Sequence, residues 1–98
     1  MAIASVVKRK MFTENQIPVI AGIIKHYKSV GYKVVDGNET LMIIEPNSTF
    51  RIFISRVSHC VQMYYLGEAE TTQEFYTRNL ESADQLVEEE IKYKAMFG

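Results

Sequence analysis

After Gly31 the hydrophobic period of this chain drops from helical to two, and the alternating runs are separated only by hairpin-length turns. That combination constrains the fold more than anything else in the sequence. A parallel strand pair needs a crossover of roughly a dozen residues or more, whereas an antiparallel pair closes through a short turn. The runs must therefore pair in sequence order. Y-K-V-V and L-M-I-I-E flank Asp36-Gly37-Asn38, the strongest hairpin signal in the chain. Glu45-Pro46-Asn47-Ser48 supplies the next turn, with Pro46 preset for its second position. F-R-I-F-I-S-R-V then sends Phe50, Ile52 and Ile54 to one face and Arg51, Phe53 and Ser55 to the other. Along Cys60–Leu66, Val61, Met63 and Tyr65 face one way, and Cys60, Gln62, Tyr64 and Leu66 the other. Gly67–Gln73 reads as a polar loop, and Glu74–Leu80 as a last strand, with a loop as the alternative.

Two helices and one further strand complete the pattern. Residues 3–12 are dense in β-branched side chains and loosely alternating, which predicts a strand. Asn15 as N-cap places Pro18 in the first helical turn, where its missing N–H costs nothing; a Thr13–Gln16 capping box would place it deeper. Ile17, Ile20, Ala21, Ile24 and Tyr27 follow at helical spacing, so Ile20 and Ile24 are expected at the buried centre. Gly31 suits the helix end, and Gly22 inside the helix suggests close packing against a strand. Near the C-terminus, Ser82 and Gln85 form a capping-box pattern, and Leu86, Val87, Ile91 and Ala95 a predicted apolar stripe. Glu88–Lys92 and Glu90–Lys94 have the i,i+4 spacing of favourable ion pairs. The predicted architecture is α+β: a two-layer sandwich in which an antiparallel β-meander of four to six strands carries two helices on one face, in the order β-α-β-β-β-β-β-α.

The chain's 98 residues are read as a single domain spanning residues 1–98. With 47% hydrophobic and 23% charged residues, it can bury enough apolar surface to offset its ordering entropy. The only cysteine cannot form an internal disulfide, and no apolar run approaches the ~20 residues of a membrane span. Lys8-Arg9-Lys10 follows the N-terminal apolar residues instead of preceding them, unlike a signal peptide. Together these predict a soluble protein of a reducing, cytoplasmic compartment without membrane attachment.

Little in the sequence resembles catalytic chemistry. His59-Cys60 is the one suggestive pair, but neighbours in a strand point to opposite faces and cannot act as base and nucleophile. Two histidines at positions 26 and 59 with one cysteine lack metal-ligand spacing. The glycines are scattered singly, so no phosphate-cradling loop exists. Glu88-Glu89-Glu90 reads as a solvated helix face. The expectation is a non-enzyme with no catalytic residue, no metal and no cofactor.

The net charge of −1 conceals a gradient: residues 1–35 carry six Lys/Arg against one acid, and residues 67–98 carry eight acids against three Lys/Arg. Opposite the covered face, Arg51, Phe53, Tyr64, Tyr76 and Arg78 are expected on an open sheet face. Such residues are enriched at protein–protein hot spots, and an aromatic, basic face can also stack bases and hold phosphates. The RNP pattern is absent and the acidic last third opposes a polyanion, which favours a protein partner over nucleic acid. A structural homodimer through the same face is a further alternative. In format, a stand-alone α+β domain with segregated charge and no catalytic group resembles small phage-encoded proteins that inhibit host machinery. The likeness carries no residue-level motif; it implies a viral-type inhibitor or adaptor that occupies a partner's surface.

Overall fold

The computed structural model describes residues 12–98. The elements are α1 (Gln16–Ser29), β1 (Lys33–Asp36), β2 (Thr40–Ile44), β3 (Phe50–Ser55), β4 (Cys60–Tyr65), β5 (Gln73–Tyr76) and α2 (Ala83–Phe97). Single 3-10 turns at Ala69–Thr71 and Thr77–Asn79 flank β5. The five strands form one antiparallel sheet in the order β1-β2-β3-β4-β5, the meander that the short turns require. The strand expected over 3–12 lies outside the described residues apart from Phe12, which is buried beside the His59 ring.

Alternation places Leu41, Ile43, Phe50, Ile52, Ile54, Val61 and Met63 on one sheet face, all fully buried. Both helices cover that face: Ile20, Ile23 and Tyr27 from α1 and Leu86 and Tyr93 from α2 join the same cluster. The result is an α+β fold with two helices on one side of a five-stranded sheet.

α1 begins at Gln16 as expected, with Pro18 in its first turn, yet Asn15 makes no side-chain cap. Instead the Thr13 carbonyl accepts from the amides of Gln16 and Ile17, and Gln16 Oε1 accepts from the Thr13 N–H at 3.4 Å, one half of the capping box. The helix ends in a Schellman motif. The Tyr32 N–H donates to the Tyr27 carbonyl and the Gly31 N–H to that of Lys28, with Gly31 at φ +94°. The accompanying side-chain contact is aromatic, with the Tyr27 and Tyr32 rings 5.0 Å apart. Ile20 is buried, but Ile23 takes the centre of the stripe and Ile24 is half-buried, while Ile17 is exposed. Gly22 faces Ala83 of α2, not a strand.

α2 departs more from expectation. Its buried stripe runs through Leu86, Glu90 and Tyr93, with Ala83, Val87 and Phe97 alongside, and Ile91 is 63% exposed. Ser82 makes no side-chain cap, and Gln85 Oε1 accepts from Glu81 N–H. Lys92 pairs with Glu89, not Glu88, at 3.7 Å, while the Glu90–Lys94 pair forms at 2.8 Å.

Glu90 is the correction with the widest consequence: it is not solvated but 6% exposed. Its Oε1 accepts from the Tyr27 hydroxyl at 2.7 Å, and its Oε2 from Tyr32 at 2.5 Å and from Lys94 Nζ at 2.8 Å. Lys94 Nζ also reaches Glu45 Oε2 at 2.6 Å. One lysine thus bridges two carboxylates and offsets one of their two charges, and two phenols donate to Glu90 to fill its remaining acceptor sites, as a buried carboxylate requires. Burial, reinforced by the Glu90 carboxylate, pushes both phenols well above the ordinary tyrosine range, so they remain donors. Burial disfavours the Lys94 charge, but the hydrogen bonds it donates to Glu45 and Glu90 outweigh it and raise its pKa.

The predicted and observed stripes of α2 are separable by mutation. Leu86→Ala, at a fully buried site, should cost roughly 2–5 kcal/mol in denaturant unfolding, whereas Ile91→Ala, at an exposed one, should cost little. Equal losses would mean that α2 packs through its predicted stripe. A second expectation concerns acid. Burial alone would raise the Glu45 carboxyl, but hydrogen bonds from Lys94, Ser48 and Tyr32 outweigh it and hold its pKa below the usual range. A depressed folded-state pKa contributes stability that is present above the unfolded value of about 4.3 and is lost as pH falls through the folded one. Thermal midpoints of the wild type should therefore fall on acidification below about pH 4.3, and Glu45→Gln should flatten that fall.

Candidate interaction face

The sheet's other face carries no helix among the described residues. Strand register arranges it in rows. One row runs Lys33–Ile44–Arg51–Tyr64, the middle row Val35–Met42–Phe53–Gln62–Glu74, and the third Thr40–Ser55–Cys60–Tyr76. Phe53 lies on the central strand in the middle row, at the centre of the face.

Four of the five predicted residues, Arg51, Phe53, Tyr64 and Tyr76, thus share this face. Arg51 is half-buried, and its Nη1 donates to the carbonyls of Ser48 at 2.9 Å and Phe50 at 2.8 Å, which ties it to the β2–β3 turn. The Tyr64 hydroxyl approaches Met42 Sδ at 3.8 Å. Tyr76 is exposed, and Gln62 Nε2 donates to Glu74 Oε2 at 2.6 Å beside it.

Arg78 reaches the same place by another route. The expected strand over Glu74–Leu80 stops at Tyr76 and turns into 3-10 geometry, so alternation does not position Arg78. Its guanidinium instead lies over the Tyr76 ring, 4.7 Å from the centroid. The turn occurs because Thr77 points inward: it is buried, its amide donates to the His59 carbonyl at 2.8 Å, and the Leu80 amide closes back on it.

Sequence reasoning missed Val35, Met42 and Ile44, which widen the apolar part of the face. Their signal was present in the alternation of β1 and β2. Which face each residue joins depends on register with β3, and that a single strand does not reveal.

The His59-Cys60 pair does not lie within one strand as expected, since β4 begins at Cys60, yet the two residues still part. His59 occupies the turn before β4 at φ +61°, with its ring 5.6 Å from that of Phe12 on the helical side. Cys60 opens β4 on the other face, where burial and the neighbouring Glu74 carboxylate push its thiol pKa up. A raised thiol pKa is the reverse of what a nucleophile needs. Among the described residues no group of three His, Cys, Asp or Glu is placed to hold a metal, and no helix is long and apolar enough to cross a membrane. Alkylation of Cys60 by iodoacetamide at neutral pH should accordingly run slower than that of a free thiol, and its rate should still be rising above pH 8.5. A rate that levels off below pH 7 would overturn the assignment.

The chain matches no family model, no curated protein and no solved structure.

Proposed function

We propose that this chain is a non-enzymatic protein-binding module, an adaptor or inhibitor that works by covering a partner's surface with its open sheet face. The observation that carries the reading is the continuity of that face. Val35, Met42, Phe53, Ile44 and Tyr64 adjoin one another across four strands, and Lys33, Arg51, Glu74 and Tyr76–Arg78 rim them. Strand spacing and rise give the three rows together, polar rim included, a footprint of roughly 400 Å². An apolar centre with aromatic and arginine residues inside a polar rim is the composition of a protein interface. Nucleic acid is the poorer fit: Arg51 is held by backbone carbonyls, and the Glu74 carboxylate would face the phosphates.

The test begins with a pull-down from native lysate that identifies the partner, followed by binding kinetics. Tyr64→Ala and Arg78→Ala should each weaken the complex by about 1–2 kcal/mol, mainly through faster dissociation, with little dependence on salt. A complex indifferent to both substitutions sinks the face assignment. Steep loss of affinity with salt would instead reassign the face to nucleic acid, and a dimer mass abolished by Tyr64→Ala would reassign it to self-association.

A further inference from the structure

The helical layer stops short of the last strand. α1 lies against β1, and α2 lies over β3 and β4, where the Tyr93 ring is 5.6 Å from Phe50 and 5.5 Å from Tyr65. Gln73 and Phe75, in register with Met63 and Val61, are the β5 residues that face the helical side. Gln73 is exposed and Phe75 only half-buried. Beside them, two adjoining clefts of about 230 and 190 Å³ share Phe75 and Glu89 and run along the seam between β5 and α2. Apolar lining comes from Leu80, Met63 and Tyr93, while Glu74, Glu88 and Glu89 outnumber the lone cation, Lys92. β5 is also the last strand of the sheet, so among the described residues its outer edge pairs with no strand.

We propose that this seam is a second interaction surface, which takes an extended segment of a partner protein alternating apolar residues with Lys or Arg and pairs it with β5 as a sixth strand. An open edge offers main-chain hydrogen bonds to any extended chain, and flanking pockets for alternate side chains supply the choice among them. In an added strand every second side chain points to the helical side, where the two clefts receive apolar groups. Intervening residues fall beside Glu74, where a cross-strand Lys or Arg is favoured. The acids of α2 add attraction for a basic segment and disfavour an acidic one.

The test titrates the full chain with a synthetic octapeptide of alternating Val and Lys, followed by amide chemical shifts and affinity. Shifts should concentrate at Gln73–Tyr76. Affinity should fall at least tenfold for a Val/Glu octapeptide and for the Glu88→Lys/Glu89→Lys variant, whose circular dichroism should match wild type. Tyr64→Ala, on the open face, should leave it unchanged, which separates failure here from failure of the face itself. The proposal is overturned by shifts centred on Phe53 and Tyr64, by undiminished binding to the double variant, or by no shift at millimolar peptide. Binding that emerges only after Lys8, Arg9 and Lys10 are replaced by Glu would also overturn it, because the seam would then belong to the chain's own basic segment.

Discussion

The Glu90 carboxylate holds together parts of the chain that have no other reason to meet at that place. It receives Tyr27 from the end of α1, Tyr32 from beyond the Schellman turn and Lys94 from the next turn of α2, and Lys94 carries the link on to Glu45 at the β2–β3 turn. A carboxylate buried without partners would cost several kcal/mol, so each donor is obligatory once Glu90 is inside. Hydrophobic contacts tolerate sliding, whereas this set of short directional bonds admits one arrangement. It therefore fixes how α1 sits against α2, and with it which sheet residues the helices cover. Lys94 also lies over the Phe50 ring at 4.6 Å, which keeps part of its desolvated charge against an aromatic face.

That arrangement decides what remains uncovered. Tyr93, one turn along from Glu90, stacks on Tyr65 and meets the Phe50 ring at a tilt, so α2 is centred over β3 and β4 and β5 projects beyond it. The whole opposite face of the sheet is also left without a second layer among the described residues. Antiparallel sheets tolerate one solvated face, but the usual solution makes that face polar. Here Val35, Met42, Ile44, Phe53 and Tyr64 adjoin one another among the polar residues of the face. Val35 is exposed and the other four are half-buried by their cross-strand neighbours, so the face keeps apolar surface in water that no described element covers.

The meander, both helix positions and the face assignments of β3 and β4 were legible in the sequence, because period and turn chemistry are local. So was the grouping of Arg51, Phe53 and Tyr64, which follows from alternation across one short hairpin. What was not legible depended on contacts between distant segments. Glu90 sits within an acidic triplet, and nothing local distinguishes it from Glu88 or Glu89; only Tyr27 and Tyr32, some sixty residues away, make it a core residue. Ile91 misled in the opposite sense, since an isoleucine at helical spacing looks buried until the helix's rotation is fixed by its polar partner. The end of β5 escaped for a similar reason: Thr77 turns inward to bond the backbone of His59, and a threonine carries no local sign of that.

The charge gradient along the sequence has a different meaning in three dimensions. α1, with exposed Lys25 and Lys28, packs beside α2, with exposed Glu88 and half-buried Glu89, so much of the described gradient is folded into one layer. Ion pairing offsets further charge: Lys94 bridges buried Glu90 and half-buried Glu45, and at the surface Arg56 meets the exposed Asp36 at 2.5 Å. The open sheet face receives few charges, set at its rim. Long-range steering falls off within a Debye length of about 8 Å at physiological salt, so an encounter guided by the helical layer would not orient the sheet face. Recognition through that face must then rest on fit and apolar burial, which act on dissociation more than on association. The seam beside β5 is the place where the two regimes meet, because there an apolar cleft and the acidic side of α2 border the same strand edge.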